Sequence, residues 1–233
     1  DGRNHTQIST RDYYDRETHN KLMSESKKFV DLMFSKPIYG KTVNIDTKKI
    51  VSMINKFDFK TAGSITDSNA SSISNSLYVL DEERFKFLKD ELMKEFYLFT
   101  NEIMHYSNKF EITTSWFTKT IKNESSAFHN HANCMLSGIL YLQTDENTGK
   151  IKFEDFNDKR YKLVPDKHTV INSDAIYYTP HDGLLLLFPS EVYHKFEKNE
   201  SDIERYSLAF NLIPTGIIGD RLNDSHMKIK VEK

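Results

Sequence analysis

The chain has 233 residues, 38% hydrophobic, 28% charged and 12% aromatic, a globular composition long enough to bury a substantial core. Its 32 Lys and Arg against 34 Asp and Glu leave a net charge of −2, without the basic excess that marks a nucleic-acid or membrane-surface binder. The single cysteine, Cys134, excludes an internal disulfide framework and a thiolate-only zinc site, and the longest apolar run, Leu184 to Phe188, is too short to span a bilayer.

No signal-peptide pattern opens the sequence, so a reducing, cytoplasm-like compartment is the expected location. The first stretch is polar, then Leu22, Phe29, Leu32 and Met33 recur at helical spacing until Pro37. The serine-rich segment Thr61–Ser76 has the composition of a flexible loop. A helix is expected after it. Asp81 would cap it, and Phe85, Leu88, Leu92, Phe96, Phe99 and Ile103 would form one apolar stripe against a sheet.

From Phe110 onward, short β-rich runs alternate with turn residues. The candidates are Phe110–Ile121, Met135–Thr144, Lys150–Glu154, His168–Asn172, Ala175–Tyr178, Leu184–Phe188 and Arg205–Ile213, with Asn147-Thr148-Gly149 and His181-Asp182-Gly183 as turns. Short strands without alternating helices predict a mainly β protein, an antiparallel sandwich or barrel with flanking helices.

Two histidines stand as His129-Asn130-His131 just before an expected strand. On extended backbone, residues two apart point to the same side, so both imidazoles could reach one metal ion, although packing also explains such a pair. His194 follows the Phe188-Pro189-Ser190 turn in a region that an antiparallel barrel would bring back in space. Further on, Arg205-Tyr206-Ser207 puts an arginine and a serine on one strand face. An arginine directed into a barrel needs an anion, which its planar fork would take in bidentate fashion; a surface arginine beside Glu204 is the alternative. Asn211 shares that face and either lines the same cavity or caps the strand end. Tyr141 faces either the core or the cavity. Trp116, Tyr177, Tyr178 and Tyr193 are expected to be packing or strand-forming residues, and His168 and His181 to be exposed.

His-x-His, a distal His, ten intervening residues and Arg-x-Ser together resemble the core of the 2-oxoglutarate/Fe(II)-dependent oxygenases. More narrowly, His129–Leu142, Gly149, Leu184–Ser190, His194 and Arg205–Asn211 are similar, in that order, to a subfamily of these enzymes from bacteria and their phages. The resemblance implies a distorted double-stranded β-helix, the cupin-like jelly-roll, in a single domain 1–233. Residues 1–109 would be a mostly helical support, 110–214 the jelly-roll core and 215–233 a polar tail. It implies Fe(II) held by His129, His131 and His194, dioxygen as oxidant, and 2-oxoglutarate held by Arg205 and Ser207 with Asn211 nearby. The reaction would convert 2-oxoglutarate to succinate and carbon dioxide while hydroxylating a second substrate, a small molecule or a protein side chain, with nucleic acid disfavoured.

One departure stands out. The superfamily usually places Asp or Glu where this chain has His131, and Ala132 replaces a proline common in the subfamily. Either His131 itself completes the metal face, or Asp155 does, or water does. A neutral triad would leave Fe(II) at +2, a charge that doubly negative 2-oxoglutarate neutralises. Two other classes also use a jelly-roll: a cupin-like metal enzyme without 2-oxoglutarate, which leaves Arg205 and Ser207 unexplained, and a non-catalytic binding module, in which the three histidines need not meet.

Overall fold

A computed structural model of the protein describes residues 35–62, 70–155, 163–219 and 226–232. The expected first helix lies almost wholly outside them. Lys36–Lys233 form one unit; Asp1–Ser35 form another that is nearly all outside the described residues.

The described strands, in chain order, are β1 (Tyr39–Thr42), β2 (Phe59–Thr61), β3 (Ser72–Ser74), β4 (Lys109–Thr120), β5 (Leu136–Gln143), β6 (Ile151–Glu154), β7 (Ala175–Tyr178), β8 (Leu184–Pro189), β9 (Tyr193–Phe196), β10 (Arg205–Ile218) and β11 (Met227–Ile229). The helices are α1 (Thr47–Ile54) and α2 (Lys86–Tyr97). A major sheet runs β1-β8-β5-β10-β4-β3-β2, with β11 added to β10, and a minor sheet runs β7-β6-β9. Every pairing between these strands is antiparallel. The mainly β, jelly-roll architecture expected from the sequence is the one observed.

The period of two along each strand sorts residues into two cores. On β10, Tyr206, Leu208, Phe210 and Leu212 join a cluster with Leu88, Leu92 and Phe96 of α2. On β5, Leu136, Leu140 and Leu142 do the same, while Ile139 and Tyr141 turn the other way. They meet Leu186 and Phe188 of β8 and Ile151 and Phe153 of β6, so a second core lies between the two sheets. Burial on both faces explains why β5 and β8 are nearly continuous apolar runs. An irregularity between Asn211 and Leu212 leaves Thr113 unpaired on β4. It resets the parity there, so Phe110, Ile112 and Phe117 all reach the helix-side core.

Several expectations change. Asp81 ends a short 3-10 turn and does not cap the helix; its carboxylate takes the Lys89 ammonium at 2.5 Å instead. The stripe holds from Phe85 to Phe99, but Ile103 is exposed, because Leu98–Ile103 form a π-helical turn whose wider step rotates the face. The Thr61–Ser76 segment is not simply a loop: β2 and β3 pair as an antiparallel hairpin at its two ends. His168–Asn172 is a turn, not a strand. Asn172 Oδ1 accepts from Thr169 N at 2.7 Å, and Val170 and Ile171 stay exposed. The region before residue 110, expected to be mostly helical, contributes β1, β2, β3 and the start of β4 to the major sheet as well as its helices. The C-terminal stretch, expected to be a polar tail, holds β11 paired to β10. Helix α1 was not anticipated. Asp46 caps it through Lys49 N at 2.9 Å, and Ile50 and Ile54 anchor it in the core.

Gly138 on β5 is required by a close approach: a Cβ there would collide with Cζ of the buried Phe210 ring. Gly138→Ala should therefore lower stability by about 1–3 kcal/mol from overpacking, measured by urea unfolding. Adding Phe210→Leu should recover part of the loss; a double variant less stable than the sum of the singles would contradict the clash.

Candidate functional site

The segment Glu124–His131 is stitched between the sheets by backbone hydrogen bonds. Ser71 N donates to Ser125 O at 3.2 Å on one side, and Ser126 N donates to Phe196 O at 3.2 Å on the other. His129 and His194 then exchange both backbone bonds, at 3.0 and 2.9 Å, and His131 N donates to Ser190 O at 2.9 Å. Extended backbone through His129-Asn130-His131 turns both imidazoles toward His194. Asn133, with φ of 60°, reverses the chain immediately afterwards and lets it enter β5.

The three rings converge. Their centroids lie 5.3 Å apart for His129–His131, 4.4 Å for His129–His194 and 5.2 Å for His131–His194. One potential ligand nitrogen from each falls within 4.8 Å of the others. Every Nδ1 faces an oxygen acceptor: Ala127 O at 3.0 Å for His129, Val192 O at 3.0 Å for His194 and Asn211 Oδ1 at 2.6 Å for His131. Carbonyl oxygens only accept, so each Nδ1 carries the proton and each Nε2 keeps its lone pair. Burial, with the neighbouring His129, pushes His194 down to about 3, and burial also lowers His131. Neutral imidazoles with a free nitrogen and a common focus are a donor set for a divalent metal. Asp155 is not part of this group; it lies exposed after β6, its N–H bonded to Asp174 O at 2.9 Å.

A network lies behind His131. Asn211 Oδ1 also accepts from Ser137 Oγ at 2.9 Å, and its Nδ2 donates to Thr114 Oγ1 at 3.0 Å. Ser137 Oγ lies 2.8 Å from Ser190 Oγ. Asn211 thus lines the cavity as the sequence allowed, but its amide is committed to His131, Ser137 and Thr114.

A cavity of about 370 Å³ opens at the three histidines and is lined by Trp116, Ile139, Ile151, Phe196 and Ala209 among others. Arg205 lies on the same face of β10 as Ala209 and is only 2% exposed. Its Nη1 donates to Thr148 O at 2.7 Å, its Nη2 to Thr120 Oγ1 at 3.1 Å, and its guanidinium sits 4.8 Å from the centre of the Phe196 ring. Gly149, with φ of 82°, makes the turn that presents the Thr148 carbonyl; a Cβ there would collide with the Glu197 and Lys198 carbonyls. None of these hydrogen-bond partners is an anion; the Glu124 carboxylate attracts Arg205 only at longer range, and among the described residues no carboxylate forms an ion pair with it. Ser207 is also buried and is paired across β5 with Tyr141. The Tyr141 hydroxyl is fully buried with no hydrogen-bond partner among the described residues. Burial holds its phenol above the usual value, so it remains a donor.

The sequence had left Tyr141 undecided between core and cavity. Its shared parity with Ile139 and its place opposite Ser207 were the signals available. Thr120, Thr148, Thr114, Ser137 and Ser190 were missed, because single hydroxyls and carbonyls carry no pattern. Cys134 stands apart from the histidine group, its Sγ 3.4 Å from Ala132 O. A wider surface hollow of about 810 Å³, beside Asp81–Glu83 and Val231, contains none of the histidines.

Residues 114–211 match the family model described as "Putative 2OG-Fe(II) oxygenase". The fold is similar to a prolyl-4-hydroxylase from Pseudomonas putida, with a TM-score of 0.53 at 15% identity over 76% of this chain and 92% of that one. It is similar to HygX from Streptomyces hygroscopicus, solved with nickel, 2-oxoglutarate and hygromycin B bound, with a TM-score of 0.55 at 10% identity over 77% and 84%. The epimerase SnoN from nogalamycin biosynthesis gives a TM-score of 0.59 at 10% identity over 87% and 85%. No curated protein sequence matches the chain. The stretch similar to this family carries all six residues singled out from the sequence, and the solved structures share its fold. Among the described residues, no helix is long and apolar enough to cross a membrane.

The depressed His194 makes the metal-free protein sensitive to acid. Its folded value, about 3, lies below the ordinary 6.5, so the unfolded chain takes the proton first as pH falls. The stabilisation from keeping His194 neutral is complete above about pH 6.5 and is lost progressively toward pH 3. Thermal melts in chelator should show Tm falling from about pH 7 to about pH 5, and less steeply in His194→Gln. Equal slopes would remove His194 as the cause.

Proposed function

We propose that the protein is an Fe(II)- and 2-oxoglutarate-dependent dioxygenase that hydroxylates a second substrate. His129, His131 and His194 are the metal ligands, and Arg205, Ser207 and Tyr141 hold the distal carboxylate of the cosubstrate. The observation that carries this reading is a buried cation beside an orphaned buried hydroxyl. A guanidinium removed from water with no carboxylate in contact, only the longer-range attraction of Glu124, costs several kcal/mol, and an unsatisfied buried hydroxyl about 1–3 kcal/mol. One carboxylate satisfies both, and a dicarboxylic acid of five carbons has a second end with which to reach a metal. The cupin-like and non-catalytic readings leave both groups without a purpose.

Bound Fe(II) would supply the oxygen chemistry that couples loss of carbon dioxide from 2-oxoglutarate to oxidation of a C–H bond. The chain's own part is positioning and exclusion. The Nδ1 hydrogen bonds fix all three imidazoles with Nε2 turned inward. Arg205 is itself held by Thr148, Thr120 and the face of Phe196, so its remaining N–H groups are pre-aimed. Ile139, Ile151, Phe188 and Phe196 keep water from the space between.

The test is an oxygen-free titration of 2-oxoglutarate into the iron-loaded protein, followed by the metal-to-ligand charge-transfer band. Arg205→Ala should weaken binding about tenfold to a few hundredfold, the loss of a charge-assisted bidentate contact. Arg205→Lys should recover only part of it, and Tyr141→Phe should lose about 1 kcal/mol. Unchanged affinity in Arg205→Ala would overturn the anchor. Succinate release with oxygen present tests the reaction itself.

A further inference from the structure

We propose that Asn211 is a positioning residue for the metal centre and does not bind the cosubstrate: it sets the tautomer and ring plane of His131, the ligand that stands where relatives have a carboxylate. The inference rests on the metal reading above. His131 differs from its two companions in how it is held. His129 and His194 donate Nδ1–H to backbone carbonyls only two residues away, Ala127 and Val192, so their orientation is built into local chain geometry. His131 has no such local bond among the described residues. Its Nδ1 faces two side chains, Asn211 Oδ1 80 positions away at 2.6 Å and, more weakly, Ser137 Oγ at 3.0 Å.

The Asn211 side chain is itself fixed from both ends. Thr114 Oγ1 takes the Nδ2 proton at 3.0 Å, which leaves the amide oxygen facing His131. Ser137 Oγ donates to the amide oxygen at 2.9 Å and is backed by Ser190 at 2.8 Å. Strands β4, β5 and β10 therefore converge on one oxygen. An amide rotated end for end would present N–H groups to the imidazole N–H and to the Ser137 hydroxyl, so the ring would lose its shorter acceptor and keep only the hydroxyl at 3.0 Å among the described residues. With Asn211 in place, Nδ1 is the protonated nitrogen and Nε2 the free one, as metal ligation needs. An acceptor behind a ligating histidine is worth about 10–100-fold in metal affinity.

The experiment compares Co(II) binding by calorimetry, in chelator-stripped full-length protein, between parent, Asn211→Leu and Asn211→Asp, with 2-oxoglutarate affinity measured afterwards at saturating Co(II). Both variants lose the Nδ2 bond to Thr114, but only Asp keeps an oxygen at position 211 for His131. Asn211→Leu should bind Co(II) about 10–100-fold more weakly, and its Co(II) absorption bands should shift. Asn211→Asp should return to the parent affinity or exceed it, because a carboxylate is the stronger acceptor. A purely structural role predicts equal losses in both variants, following the metal-free Tm, and that result would overturn the proposal. So would unchanged Co(II) affinity in Asn211→Leu, or a loss confined to the 2-oxoglutarate step, which would return Asn211 to cosubstrate binding. If the parent itself takes up no Co(II), the metal reading fails first and this inference with it.

Discussion

Strand β10 is buried on both faces, and its alternation of side chains links the fold to the site. Tyr206, Leu208, Phe210 and Leu212 hold the helix-side core together, while Ala209 and Asn211 line the cavity and buried Arg205 and Ser207 share their strand face. A register slip of one residue would exchange these sets, driving a guanidinium and an amide into the aromatic core. Pairing to β4 along one edge and β5 along the other makes such a slip costly. The same pairings bring Thr120 and Thr114 from β4, and Tyr141 and Ser137 from β5, to the β10 residues they serve. The site's hydrogen bonds are thus a consequence of sheet register rather than of loop conformation, which suits a constellation that must hold its geometry before any ligand arrives.

The two ends of this interior row are built differently. At the histidine end every Nδ1 has an internal partner, and the Nε2 atoms are left free to converge. At the arginine end a positive charge and a hydroxyl are left short of partners. Burying Arg205 with only a carbonyl, a hydroxyl and an aromatic face offsets part of its desolvation. The shortfall is a stability cost that a protein selected for stability alone would remove with a leucine. Unsatisfied groups of this kind in an otherwise well-packed interior are the mark of a binding site held open for a ligand of opposite sign.

The sequence exposed the long, doubly buried strands because their apolar content is set by burial itself. β4, β5, β8 and β10 were legible to within a few residues, as were the histidine pair and its distant partner. The missed elements are those whose order comes from neighbours. Tyr39–Thr42 is largely exposed and owes its extension to hydrogen bonds with β8. Ser72–Ser74 sits in a serine-rich run and is drawn into the sheet by β2 and β4. His168–Asn172 misled for the opposite reason. Thr-Val-Ile has the character of a strand, but Asn172 closes a turn and the apolar side chains have nothing to pack on. At the site, the resemblance pointed to the three histidines that the fold brings together, whereas the acceptor behind each ring depended on the fold.

The histidine in place of a carboxylate follows from the charges around it. The described cavity lining holds imidazoles, an amide, hydroxyls and apolar groups, and no carboxylate. With a carboxylate at position 131, one protein charge would already offset a divalent ion, and a dianionic cosubstrate would meet a center of lower positive charge. With three neutral imidazoles, as in the metal centre we propose, the full +2 would remain, and Arg205 would add a further positive charge at the far end of the row. Both poles of the interior then favour one dianion lying between them, and a monoanion satisfies only one pole. In the proposed reading, ligand choice at the metal and the anchor at Arg205 form a single electrostatic arrangement. The amide of Asn211 belongs to it: an acceptor without charge orients His131 and leaves the positive field of the site intact.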